Sequence, residues 1–515
     1  MTSSKGDPTH PRGLLRPTLV LILGLALLCR LALALFRTDL VWPDEQFQTL
    51  EPASRLVFGY GFKSWEWIKG FRTWLLPLFF TPPLAFGKLL GTTSGLPIFQ
   101  LTRIYAALLD TLMLGCLAVW MAAFRFAPVT RWGVLALAAF LPSLQLWGVT
   151  TLQDHLAEIL LSFSFTLIVH SKWQESKKGK FLLGLSLGIP GWVKIQLGVF
   201  SVGFVIAWIA RECRQQKSLK AGLKAGLPFI LGGMSSLLIL GWVDLATLGH
   251  FAGSVLNQIT QGESISRFYG TGPWYQWFEK LGELTGLTFW ALFLGAAFLR
   301  ALLRPQSTQR SHEALLPMVF GMGLFLLFHA LIPHKETRFL LPMVPFFLVI
   351  FGALLDPWGT HLEQALSISP RFQGSVRRKG PQVLISLGIG LFAGFGFLIA
   401  LQRPLYLTSV NTADLEDRIS LIRPRLTDPQ KVCVVLAGHN FSWTHGALIL
   451  GAEVDYLDIG LNEVSSKPIP VHCQVALVRN NKATRFEQYH PQFVAAQKGA
   501  QDFSLYVHQS LVKSE

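Results

Sequence analysis

The chain has 515 residues, of which 51% are apolar and only 15% charged, and a formal net charge of +15. Soluble domains carry about a quarter charged residues, so this composition excludes an ordinary soluble protein and points to a membrane-embedded one. The positive charge does not mark a nucleic-acid binder: the basic residues fall in short segments between apolar runs, as the positive-inside rule produces, and no basic face carries stacking aromatics.

Lys5, Arg12 and Arg16 precede the first apolar run, 19–36, and no small-residue cleavage site follows it. This reads as an uncleaved first span with a cytoplasmic start. Residues 37–72 are polar and aromatic, too long for a simple connector, and fall outside the cytoplasm by that assignment. Further apolar runs centre on 73–90, 99–124, 132–149, 156–170, 181–210, 225–243, 283–303, 314–332, 340–355 and 381–402. Runs near the roughly 20 residues that cross a bilayer imply an all-α polytopic bundle of about 11 transmembrane helices. Basic segments at 172–180, 211–224, 304–310 and 371–379 read as cytoplasmic. All four agree if 73–90 does not cross and 181–210 crosses twice. If instead 73–90 crosses and 181–210 is one span, 172–180 moves outside and the rest is unchanged.

From residue 403 the composition shifts. Alternating segments at 432–437, 454–458, 475–478 and 503–507 predict strands. This divides the chain into a transmembrane domain, 1–402, and a small extramembrane α/β domain, 403–515. His439 and His445 read as plain surface. Cys433 and Cys473 share this domain; outside the cytoplasm they could pair, with two free thiols as the leading expectation. With Cys29, Cys116 and Cys213 they form no CxxC or metal-spaced set, so no metal and no cofactor are expected.

Several polar clusters interrupt the apolar text. Asp44 and Glu45 follow Pro43, where a helix start favours proline and acids, so a capped interfacial helix explains them. A carboxylate held there also suits a general base. Trp65, Glu66 and Trp67 follow in the same loop, as interfacial anchors or as flat faces for a sugar. Arg72 closes it, where a phosphate would sit or where a span end would snorkel. His334, Lys335, Glu336 and Arg338 lie between two spans on the outer side, against the positive-inside bias. Lys335 and Arg338 suit a phosphate, with His334 donating to it and Glu336 orienting a cation. Residues 264–277, with Tyr269 and Trp274, form another outer loop. Asp154, His155 and Glu158 lie near a span end. Lys194 inside an apolar run is a functional candidate, with snorkelling as its competitor.

Read together, WPDEQFQTLEPASRLVFGYGFKSWEWIKGFRTWLLPLFF closely resembles the first luminal loop of glycosyltransferase family 22, the α-mannosyltransferases of GPI-anchor and N-glycan precursor assembly. Pro43-Asp44-Glu45, Gly59-Tyr60-Gly61, Trp65-Glu66-Trp67, Arg72 and Pro77 stand in the family's order. His334-Lys335-Glu336 with Arg338-Phe339 resembles a second family segment, and RFYGTGPWYQWF with Asn257 a third. The resemblance spans about 37–355 and is nearest to the GPI mannosyltransferases. This sequence departs from the family at Gly272, Thr150, Asp154 and Lys194, and the domain from 403 lies outside the match.

The resemblance implies a GT-C fold and an inverting transferase. It would move mannose from a polyprenyl-phosphate donor to a lipid-linked or membrane-attached glycan, forming an α-mannoside. Residues 37–72 would be the catalytic outer loop and Asp44 the base. Glu45, Trp65, Glu66, Trp67, Tyr269 and Trp274 would line the acceptor, and Arg72, Lys194, His334, Lys335 and Arg338 the donor phosphate. The site would face the periplasm from a bacterial inner membrane, or the lumen if the membrane is the endoplasmic reticulum. The alternatives are a GT-C transferase with another polyprenyl-phosphate sugar or a protein acceptor, and a transporter of lipid-linked sugars.

Overall fold

A backbone in lipid satisfies its polar groups within its own segment, so the long apolar runs must be helices. The computed structural model describes residues 15–37, 40–42, 44–92, 95–169, 171–286, 295, 309–368, 379–402, 431–437, 453–459, 469, 473–479, 483–498 and 503–509. Among these, four helices are long and apolar enough to cross a membrane: Pro17–Phe36, Gly95–Ala123, Leu219–Leu248 and Thr337–Thr360. Shorter apolar helices, including Pro128–Phe140, Leu315–Leu331 and Gly388–Leu401, complete the bundle.

Side-chain pairs fix the helix directions. Arg30 pairs with Asp110 and Arg103 donates to the Arg37 carbonyl, so Leu15–Phe36 and Gly95–Ala123 are antiparallel. Asp356, midway along Val344–Ile368, accepts from the Ala127 amide, at 2.6 Å, which ties that helix to the opposite end of the bundle. Arg37 donates to the Ala400 carbonyl at 2.8 Å and ties the end of Lys379–Gln402 to the first end.

The two ambiguous runs resolve together. Residues 73–90 do not span: they form two short helices, Leu75–Leu78 and Thr81–Leu89, the second led by Pro82 and Pro83, which cannot continue a preceding turn. The 181–210 run reverses. Lys177–Gly188 packs parallel to Leu219–Leu248, with Gly184 against Phe229 and Gly188 against Ser236. Leu197–Gln216 packs antiparallel to the same helix, with Gly226 against Ile209 and Gly222 against Cys213. Between them Pro190–Val193 makes one turn and Lys194 is extended, at φ −138° and ψ 101°. The basic segments at 172–180 and 211–224 therefore share one end, opposite this reversal. The 283–303 run lies mostly outside the described residues, as does the 371–379 segment apart from Lys379.

The C-terminal residues form a five-stranded sheet in the order β2-β1-β3-β5-β4. The strands are β1 (Lys431–Ala437), β2 (Glu453–Ile459), β3 (Cys473–Arg479), β4 (Phe493–Lys498) and β5 (Phe503–His508). The first three pair in parallel and the last two are antiparallel. Strand β4 was not expected from the sequence. The expectation of free thiols is also corrected: Cys433 and Cys473 face each other in the β1–β3 register, 4.4 Å apart at Cα, and form a disulfide. A 40-residue spacing gives no sign of that register. His439 and His445 lie outside the described residues.

Candidate active site

The 37–72 segment is mostly helical. A π-helix, Glu45–Leu50, runs directly into Glu51–Phe58, which ends at Gly59 in the left-handed conformation. The wide π turn brings residues five apart together, and the Gln46 amide donates to Glu51 at 2.9 Å. Glu51 also accepts from the Phe62 amide at 2.8 Å, and Arg55 donates to the Gly61 carbonyl at 2.6 Å. Gly61 lies so close to the Glu51 carbonyl that no side chain fits there. These contacts fold the Gly-Tyr-Gly turn back and deliver Trp65–Ile68, a single helical turn, beside Asp44.

An alternating chain of charges surrounds that carboxylate. Arg72 donates to Glu66 at 2.7 Å and to Gln153 at 2.7 Å. The Gln48 amide donates to Glu66 at 3.3 Å and to Asp44 Oδ2 at 2.8 Å. Asp44 Oδ2 also pairs with Arg338, which pairs in turn with Glu336. Glu336 meets His334 Nε2 at 2.7 Å, and His334 Nδ1 meets the Gly270 carbonyl at 3.0 Å. Behind Arg338, Asp154 lies 3.9 Å from its Nε and pairs with Lys194. The guanidinium of Arg338 stacks over Trp42 at 5.1 Å.

Removal from water pushes the Asp44 carboxyl up to about 6; Arg338 opposes the rise, and Glu66 and Glu336 add to it. Burial alone would raise Glu336 too, but Arg338 and His334 outweigh it and hold that group at about 2. The hydrogen bond to Glu336 raises His334. Asp44 keeps 23% of its side chain exposed, so it faces an approach from outside.

The expected residues divide by direction. Asp44, Glu66, Arg72, His334 and Arg338 join one network. Tyr269 and Trp274 stand exposed on the loop that carries Gly270, with Trp274 66% exposed. Trp65 is half-buried beside Phe71. Four residues turn inward, away from the open side of Asp44. Glu45 has 0% exposure: it accepts from the Val41 amide at 2.7 Å and the Thr151 amide at 3.0 Å, with Arg103 at 3.6 Å. It braces the loop and presents nothing to a sugar. Trp67 is buried against Trp74 and donates to the Phe47 carbonyl at 3.0 Å. Lys335 turns back onto the helix Gln309–Leu331 and donates to the carbonyls of Ile332 and Ala330, the latter at 3.2 Å. Its ammonium caps a helix end rather than facing a phosphate. Lys194 is buried on Asp154 and under Phe339, at 4.4 Å from that ring.

Sequence reasoning left Gln48 and Gln153 unremarked. A glutamine four residues after Asp44 gives no signal until Glu66 is folded beside it. No group of three or more metal-ligating side chains occurs among the described residues. Arg338, Arg72 and His334 gather at this end beside Asp44, each with a carboxylate partner.

Comparison with known proteins gives the family and the fold. The sequence profile of the Alg9-like mannosyltransferase family matches residues 21–441. GPI alpha-1,2-mannosyltransferase 3 of Bos taurus is 27% identical over 339 residues, which is 63% of this chain and 57% of that protein. The Mus musculus protein of the same name is 28% identical over 373 residues, 69% of this chain and 62% of its own length. The match thus spans less than two thirds of these relatives. Among solved structures, ArnT from Cupriavidus metallidurans bound to undecaprenyl phosphate superposes with a TM-score of 0.56 at 14% identity, over 96% of this chain and 98% of that one. The Archaeoglobus fulgidus oligosaccharyltransferase gives 0.53 at 11% identity, over 96% and 74%. These likenesses establish the GT-C fold.

Proposed function

This chain belongs to the Alg9-like mannosyltransferase family, and from that premise we propose that it is an inverting membrane mannosyltransferase. It takes mannose from a polyprenyl-phosphate donor and passes it to a lipid-linked or membrane-attached glycan. The observation that carries the reading is the pairing of Asp44 with Arg338 at the open end of the helix bundle.

The reaction follows from that pair. An acceptor hydroxyl approaches Asp44, which takes its proton as the hydroxyl oxygen attacks C1 of the sugar. The bond from C1 to the phosphate oxygen breaks on the opposite face, and its electrons leave with the lipid phosphate. A β-linked donor therefore gives an α-mannoside. Negative charge growing on the phosphate is met by Arg338, Arg72 and His334, fixed in place by their carboxylate partners. The exposed Tyr269 and Trp274 offer flat faces for the acceptor glycan.

The site lies at the non-cytoplasmic end in this reading. The described basic segments, 172–180 and 211–224, share the opposite end, as the positive-inside rule asks, and the Cys433–Cys473 disulfide suits an oxidising compartment. The assay is transfer of mannose from polyprenyl-phosphate mannose to lipid-linked glycans by purified protein. Asp44→Asn is expected to lower kcat by about 10²–10⁴-fold, the range for losing a general base. Full activity in that variant removes the assignment. Lipid movement without transfer supports a transporter instead.

A further inference from the structure

The network singles out one oxygen of Asp44. Gln48 and Arg338 both engage Oδ2, whereas Oδ1 accepts no hydrogen bond among the described residues and is not enclosed. Gln48 is itself only 3% exposed. Its amide is wedged between two carboxylates, Asp44 at 2.8 Å and Glu66 at 3.3 Å, so the NH2 must face both. Its own carbonyl oxygen is buried without a partner.

We propose that Gln48 is a positioning residue: it holds Oδ2 of Asp44 turned toward Arg338, which leaves Oδ1 as the atom that takes the proton. It also separates two like charges with a neutral donor, keeping Asp44 ionised at neutral pH. The inference rests on the transferase reading above and deepens it.

The charges that face Asp44 bear on the test. Arg338 and Glu336 approach from the 334–338 turn, Glu66 and Arg72 from the first loop. Asp154 and Lys194 lie behind Arg338. A Gln48 variant leaves each of these side chains in place, and only Glu66 loses its 3.3 Å bond from the Gln48 amide. Gln48→Met keeps the bulk and removes the donor. Losing a hydrogen bond to the charged form raises the kinetic pKa of the base. The acid limb of kcat against pH is expected to move up by about one unit. At its plateau kcat should fall about 10-fold or more, from the free swing of the carboxylate, with donor KM within about twofold of wild type. Gln48→Glu adds a like charge at the same place and should move the limb further in the same direction. It serves as the readout if the methionine variant does not fold.

A pH profile that stays put in whichever variant folds overturns the proposal. So does a fall in rate with both KM values raised and the profile unchanged, the mark of a merely structural role. Failure of the underlying reading looks different. Wild type would transfer no sugar from polyprenyl-phosphate mannose, or Asp44→Asn would remain fully active.

Discussion

Asp44 carries the first pH prediction. Its carboxyl is raised to about 6, and the base must be ionised to act. Activity is therefore expected to rise as pH increases through about 6. His334 is raised above the ordinary value of about 6.5, so a loss of phosphate affinity should follow at higher pH as it deprotonates. A bell-shaped kcat/KM profile that loses its acid limb in Asp44→Asn checks both signs. The two cations of the 334–338 turn should separate cleanly. Arg338→Lys loses the fork that holds Asp44 and Glu336 and should cost about 10² or more in kcat/KM. Lys335→Met uncaps a helix end and should leave donor KM within about threefold, as donor titrations can show. Residue identities at this turn were legible because four titratable groups between spans are costly unless they have work to do. Their directions were not. Lys335 and Arg338 are three apart and equally charged, and only the folded turn sends one inward to a helix end and the other to Asp44. Glu45 shows the same limit beside Asp44, since successive helical residues point to different faces.

At the scale of elements, prolines told where helices break but not how the chain continues past the break. Pro82 and Pro83 end any straight run through 73–90. Pro190 and Gly191 looked equally able to kink one long span or to turn a hairpin. The answer came from glycines elsewhere: Gly184 and Gly232 let two backbones touch, so Lys177–Gly188 runs parallel to Leu219–Leu248. Gly184→Val should drive a side chain into the Phe229 carbonyl and lower stability by more than about 2 kcal/mol. Gly191→Ala meets nothing within 4 Å and should be near neutral. Thermal unfolding of the two purified variants in detergent compares them directly. The reversal matters because it lifts Lys194 out of an apolar run and sets it on Asp154, behind the arginine that grips Asp44.

For the whole molecule, the arrangement separates two kinds of charge. Among the described residues, the basic segments 172–180 and 211–224 share one end, and the acid–base network around Asp44 and Arg338 lies at the other. Engineered cysteines at Lys178 and at Trp274 should therefore label from opposite sides of a sealed membrane. Labelling of both from one side breaks the topology. The sequence by itself determined that this is a helical membrane protein with a small mixed α/β C-terminal part, because apolar length, charge spacing and strand alternation are local properties. It also singled out Asp44, Glu66, Arg72, His334 and Arg338, since polar groups beside a bilayer are too costly to be idle. Only the tertiary structure decided that Cys433 meets Cys473 and that Glu45, Trp67, Lys194 and Lys335 turn inward. It alone brought Gln48 between two carboxylates, one of them 18 residues along the chain. Those outcomes depend on which helices touch and which way each side chain then points, and neither is written in the spacing of residues along one chain.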